Sequence, residues 1–88
     1  MDRYTYKDAE KCFERLLSAL GKRRARAYSD VGGWTLDYNP IHGGVIIEEI
    51  ANTGGGVHHP IGEGRLTPKE FCYTVNFTIR ALEAMRRR

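Results

Sequence analysis

Three histidines and two cysteines are the side chains of this chain best suited to hold a metal or attack a bond. Their spacing favours neither task. A structural zinc site takes ligands at spacings such as C-x2-C or H-x3-H. His58 and His59 are adjacent, so on an extended segment their rings point apart, and His42 stands alone. Cys12 and Cys72 each fall inside a helical pattern, where a thiol lacks the exposed, low-pKa setting and neighbouring base that a nucleophile needs. Asp30, Asp37, Glu48 and Glu49 read as turn formers or solvent-exposed carboxylates. Gly54-Gly55-Gly56 lacks the G-x-x-x-x-G-K-[ST] pattern, and no helix follows it. The residues therefore predict no catalytic group, no metal and no cofactor. His58 reads instead as a surface contact or a pH-sensitive group.

Charge gives the second chemistry to weigh. The chain has 14 basic and 11 acidic residues, a net charge of +3. Seven of the cations are Lys22, Arg23, Arg24, Arg26 and Arg86 to Arg88. The rest of the chain holds 7 basic against 11 acidic residues, a net of −4. Lys22, Arg23, Arg24 and Arg26, with Tyr28 as an aromatic platform, are the residues that would meet a nucleic-acid backbone. The same charges also serve a helix end, or guard a sheet edge against pairing. The arginines at 86 to 88 complement the last turn of a helix or form a basic tail.

Aromatic residues give the third. Trp34, Tyr38, Tyr73 and Phe77 exceed the evident needs of one thin core, and Trp and Tyr are favoured interface anchors. With His58 they form the predicted partner-binding set. The competing reading puts them in the layer between helices and sheet.

These residues need elements to position them. Thr5 is an N-cap with Asp8 three residues on, and Tyr6, Ala9, Phe13, Leu16, Leu17 and Leu20 recur at helical spacing up to Gly21. Three strands follow in the pattern. Residues 24–29 alternate, with Ala25 and Ala27 opposite Arg24, Arg26 and Tyr28, and Asp30-Val31-Gly32-Gly33 reads as a hairpin turn. Trp34, Leu36 and Tyr38 alternate with Thr35 and Asp37. After the breakers Asn39 to Gly44, a β-branched strand runs from Val45 to Ile50.

Residues 51–66 have no periodicity, with a flexible start at Ala51 to Gly56 and a candidate edge strand at Val57 to His59. A loop of that length in a small domain is usually functional or poorly ordered. Thr67-Pro68-Lys69-Glu70 is a capping box with Pro at the first helical position. It opens a last helix predicted to reach about Ala84. Phe71, Val75, Ile79 and Leu82 form its core stripe, and Tyr73, Phe77 and Ala81 widen the apolar arc.

Eighty-eight residues suffice for a single α+β domain, 1–88, in two layers: helix-strand-strand-strand-helix, with a three-stranded antiparallel meander and both helices on one face. No run of eighteen apolar residues predicts a membrane span, and no basic-then-apolar leader opens the chain. A cytoplasmic setting follows as the expectation, in which Cys12 and Cys72 are small buried hydrophobes.

The order of elements resembles the double-stranded RNA-binding domain, which grips an A-form helix through its first helix, a loop between early strands and a basic start to its last helix. Here the last helix opens with one lysine, Lys69, and Asp30-Val31-Gly32-Gly33 lacks the family's Gly-Pro-x-His-like turn, so the resemblance is one of topology. Gly33-Trp34-Thr35-Leu36-Asp37-Tyr38-Asn39-Pro40, Gly54-Gly55-Gly56-Val57-His58-His59-Pro60 and Thr67-Pro68-Lys69-Glu70-Phe71 look like segments of small phage-encoded accessory proteins of unknown function. That resemblance implies a product of the bacterial host cytoplasm. The functional expectation is a non-enzymatic binding module with a protein partner or a second copy of itself. Nucleic-acid-backbone binding through residues 22–26 is the alternative.

Overall fold

A computed structural model describes residues 4–39, 41, 43–62 and 64–87. Helix α1, Tyr6–Leu20, starts where the sequence places its cap: Thr5 N donates to Asp8 Oδ2 at 2.8 Å and Thr5 Oγ1 accepts from Asp8 N. Gly21 closes it. Helix α2, Pro68–Arg86, opens on the reciprocal pair Thr67 N to Glu70 Oε1 (2.9 Å) and Glu70 N to Thr67 Oγ1 (3.1 Å). Each box satisfies two backbone or side-chain groups that a helix start leaves unpaired.

Between the helices lie β1 (Trp34–Tyr38), β2 (Val45–Ile50) and β3 (Val57–His58), paired antiparallel in that order. The register sets Leu36 opposite Ile47 and Tyr38 opposite Val45. Alternation then sends Trp34, Leu36, Val45 and Ile47 to one face. Phe13, Leu16 and Leu17 of α1 and Phe71 and Val75 of α2 join them in one core. This is the expected two-layer α+β architecture. Phe13 is fully buried there, and burial of such a side chain contributes about 1.5–3 kcal/mol. The helices also clasp each other: Arg15 Nη1 donates to Asn76 Oδ1 and Arg86 Nη2 to Ala19 O, both at 2.9 Å.

One strand is not where the alternation at 24–29 predicts it. That segment makes only a single parallel bridge, Arg24 with Trp34, in which Trp34 N donates to Arg23 O and Ala25 N to Trp34 O. The cause is Asp30. Its carboxylate pairs with Arg23 and accepts from Arg26 N, and this curls the chain instead of extending it. Asp30 to Gly33 is accordingly a turn within a loop and does not join two strands. Gly33 sits so close to that loop that a Cβ there would lie 2.6 Å from Ala25 Cα. Gly32 and Gly33 continue the β1–β2 ladder, with Gly32 N donating to Ile50 O and Ile50 N to Gly33 O, and the loop before them reaches β2 through the Tyr28 hydroxyl on Glu48. Ile50 is buried on that side, away from the helices.

The third strand comes instead from the aperiodic stretch, as β3. Its approach is held by Asn52, whose Oδ1 accepts from Gly54 N and Gly56 N, so Ala51 to Gly56 forms a hydrogen-bonded turn. Leu66 then pairs with Val45 through both backbone bonds. Gly44, at φ 83°, is packed against Leu66: a Cβ would lie 2.8 Å from its carbonyl oxygen. Pro40, His42, Glu63 and Arg88 lie outside the described residues, so the reading of His42 does too. Among the described residues no helix is long and apolar enough to cross a membrane.

Candidate docking surface

At 100° per residue, Phe71, Val75 and Ile79 of α2 point to the core, and Thr74, Phe77, Ala81 and Met85 to another side. The second set is solvent-exposed, with Phe77 at 75% and Met85 at 69% exposure. Thr74, Phe77 and Ala81 follow one another at spacings of 3 and 4, the repeat of a helix–helix seam. Beside this flank a cavity of about 310 Å³ opens, walled by Ile46, Ile61, Leu66, Val75, Thr74 and Thr78. Its lining is almost wholly apolar. The cavity reaches this flank at Thr74, while Phe77, about 60° further round the helix, is not one of its walls; an apolar hollow and an exposed ring on one helix suit helix-in-groove recognition.

The predicted partner set does not form one patch. Trp34 is 5% exposed, a core residue, with its indole Nε1 donating to Glu49 Oε2 at 3.2 Å. It therefore offers no anchor to a partner. Tyr38 lies at the end of β1 with its ring 4.9 Å from that of Tyr6. His58 is exposed on β3, at the other edge of the sheet. Tyr73 and Phe77 share α2, and Tyr73, 54% exposed, meets Tyr4 edge-on at 5.9 Å and Lys69 Nζ at 5.7 Å. Ile61 and Leu66, as cavity walls, were not legible as site residues. They come from the aperiodic stretch, and only the Val45–Leu66 pairing brings them to α2.

The basic cluster is largely engaged within the chain. Arg23 pairs with Asp30 and donates to Val31 O at 2.9 Å. That contact lowers the Asp30 carboxyl below its ordinary range, helped by the Arg26 backbone N–H. Arg24 reaches Glu10 at 2.8 Å and Glu14 at 3.4 Å, and its guanidinium stacks over Phe13. Lys22 Nζ stands 5.9 Å from the Trp34 ring. Arg26 has no ion pair among the described residues. Because 24–29 is not a strand, Arg24, Arg26 and Tyr28 do not share a strand face.

Tyr28 belongs elsewhere. Its hydroxyl donates to Glu48 Oε1 at 3.2 Å, and His59 Nε2 lies 3.9 Å from the same carboxylate. Partial burial, then Glu48, raise the Tyr28 pKa. Glu48 has a side chain only 13% exposed, so it is not the solvated carboxylate its sequence suggests. It ties the 24–33 loop to β2 and to the chain just after β3.

The thiols sit between the helices. Cys72 is buried, and its Sγ donates to Asp8 O at 3.5 Å. Burial, with the Cys12 thiol close by, pushes its pKa up to about 12. Cys12 is half-buried.

Comparison with protein-family models, with curated proteins and with solved structures finds no match.

Proposed function

We propose that this chain is a non-enzymatic binding module that receives a protein partner on the exposed flank of α2. The observations that carry the reading lie on one helix: an apolar cavity of about 310 Å³ that opens at Thr74 and Thr78, and the exposed Phe77 on the same flank as Thr74, outside the cavity wall. A large aromatic left in water beside an apolar hollow has surface to gain by association, at roughly 25 cal/mol per Å² buried. The basic cluster supports the nucleic-acid alternative less well, since Arg23 and Arg24 spend their charge on Asp30, Glu10 and Glu14. The same proposal places the protein in the cytoplasm of a bacterial host, as the resemblance to phage accessory proteins implies.

The experiment is analytical ultracentrifugation of the full chain, alone and with a designed helical peptide bearing an apolar seam and neutral Gln flanks. Self-association or co-sedimentation that disappears in Tyr73→Ala/Phe77→Ala, with circular dichroism unchanged, supports the reading. Identical behaviour of wild type and variant overturns it.

A further inference from the structure

We infer that the occupant of the α2 flank is an acidic amphipathic helix of another protein, not a second copy of this chain. The inference rests on the docking reading above. It comes from the charges that border the seam. Lys69, Arg80 and Arg87 are exposed and follow one another down one side of α2, at positions about 60–120° around the helix from Phe77 and Ala81. None of the three has an ion-pair partner among the described residues. Of the two carboxylates on α2, Glu70 is held at the helix start by Thr67 N. Glu83 lies on the far side of the basic row from the seam, and it bridges neither Arg80 nor Arg87 among the described contacts.

Charges that flank an apolar seam decide which helix may pair with it. A second copy meets like charge. In an antiparallel crossing centred on Thr78, Lys69 of one α2 faces Arg87 of the other, at both ends of the contact. In a parallel pairing the basic row faces the opposite flank of its neighbour, which in this fold is turned into the core through Phe71 and Val75. An incoming helix with Leu or Phe on one stripe and Glu beside it meets neither obstacle. Its apolar side chains enter the cavity at Thr74 and Thr78, and its carboxylates face Lys69, Arg80 and Arg87. Exposed charge of this kind acts mainly on association rate and partner choice, and salt screens it.

The test uses two labelled helical peptides with one apolar seam, flanked by Glu in the first and by Lys in the second. Fluorescence anisotropy follows each against the full chain at about 20 mM and about 150 mM salt. The Glu peptide should bind, weaken with salt, and weaken roughly tenfold on Lys69→Glu/Arg80→Glu/Arg87→Glu. The Lys peptide should bind that triple variant better than it binds the wild type. Equal binding of both peptides, lost in Phe77→Ala, overturns the acidic partner and leaves the docking surface standing. A wild-type chain that sediments as a dimer through Phe77 overturns it as well. Binding of neither peptide, with Phe77→Ala without effect on any association, removes the docking reading itself.

Discussion

Val75 and Phe77 lie two residues apart on α2 and face opposite environments, Val75 closing the core at 2% exposure and Phe77 standing in water at 75%. One helix thus serves two surfaces, and truncation at the two positions separates them. Val75→Ala should destabilise the fold by about 1–3 kcal/mol in urea unfolding. Phe77→Ala should stay within about 0.5 kcal/mol of the wild type. A comparable loss in both would mean that Phe77 is packed within the domain.

The Cys72 thiol is buried and its pKa raised to about 12, whereas Cys12 is half-buried. Alkylation depends on thiolate and access. With iodoacetamide at pH 8, Cys12 should be modified well before Cys72, as read by mass spectrometry of the two peptides. Equal rates would place Cys72 outside the helix–helix contact.

Tyr6 is half-buried against the core, and its hydroxyl donates to Glu10 Oε1 at 2.6 Å. Burial first, and then Glu10, push its pKa up to about 12. The folded state therefore keeps a proton that the unfolded chain loses from about pH 10 upward. This contribution is full below pH 10 and is lost as pH rises towards 12. Tyr6→Phe should unfold less steeply over that window in a pH series followed by circular dichroism. A slope unchanged by the substitution would contradict the assignment.

Gly33→Ala places a methyl group 2.6 Å from the Ala25 backbone, where no flexible side chain can move aside. Overpacking of this kind costs about 1–3 kcal/mol. Thermal melting should show the loss. A neutral result would mean that the 24–33 loop does not lie against β1.

For the basic cluster, Arg24→Glu/Arg26→Glu removes one cation held by Glu10 and Glu14 and one without an ion pair among the described residues. Labelled duplex and single-stranded nucleic acid should bind the wild type weakly, in anisotropy at about 150 mM salt. Tight binding that steepens at low salt and vanishes in the double variant would restore the phosphate-backbone alternative.

The helix boundaries were legible because their signals are local: Thr5 with Asp8, and Thr67-Pro68 with Glu70, satisfy their own ends. β1 and β2 were legible from alternation and β-branching. Arg24 to Ser29 alternates just as well, but its fate is set by Asp30 reaching back to Arg23 and Arg26, a contact that periodicity does not register. The edge strand expected at Val57 to His59 is present as the two-residue β3, but two residues carry no period, and its place as the third strand of the sheet comes from pairing with Glu49 and Ile50. At the site, the wide apolar arc of α2 was readable in Tyr73, Phe77 and Ala81. Trp34 was not separable from it, because a core aromatic and an anchoring aromatic look alike until a partner strand buries one. The cavity depends on Val45 meeting Leu66, twenty-one residues away, and no local rule contains that.

The most direct test of the docking surface is chemical-shift mapping of the 15N-labelled chain titrated with the Glu-flanked helical peptide. Shifts are expected at Thr74, Phe77, Thr78, Ala81 and Met85 and at the cavity walls Ile61 and Leu66, with residues 22–30 unmoved. Shifts confined to residues 22–30, or none anywhere up to millimolar peptide, would contradict the docking reading.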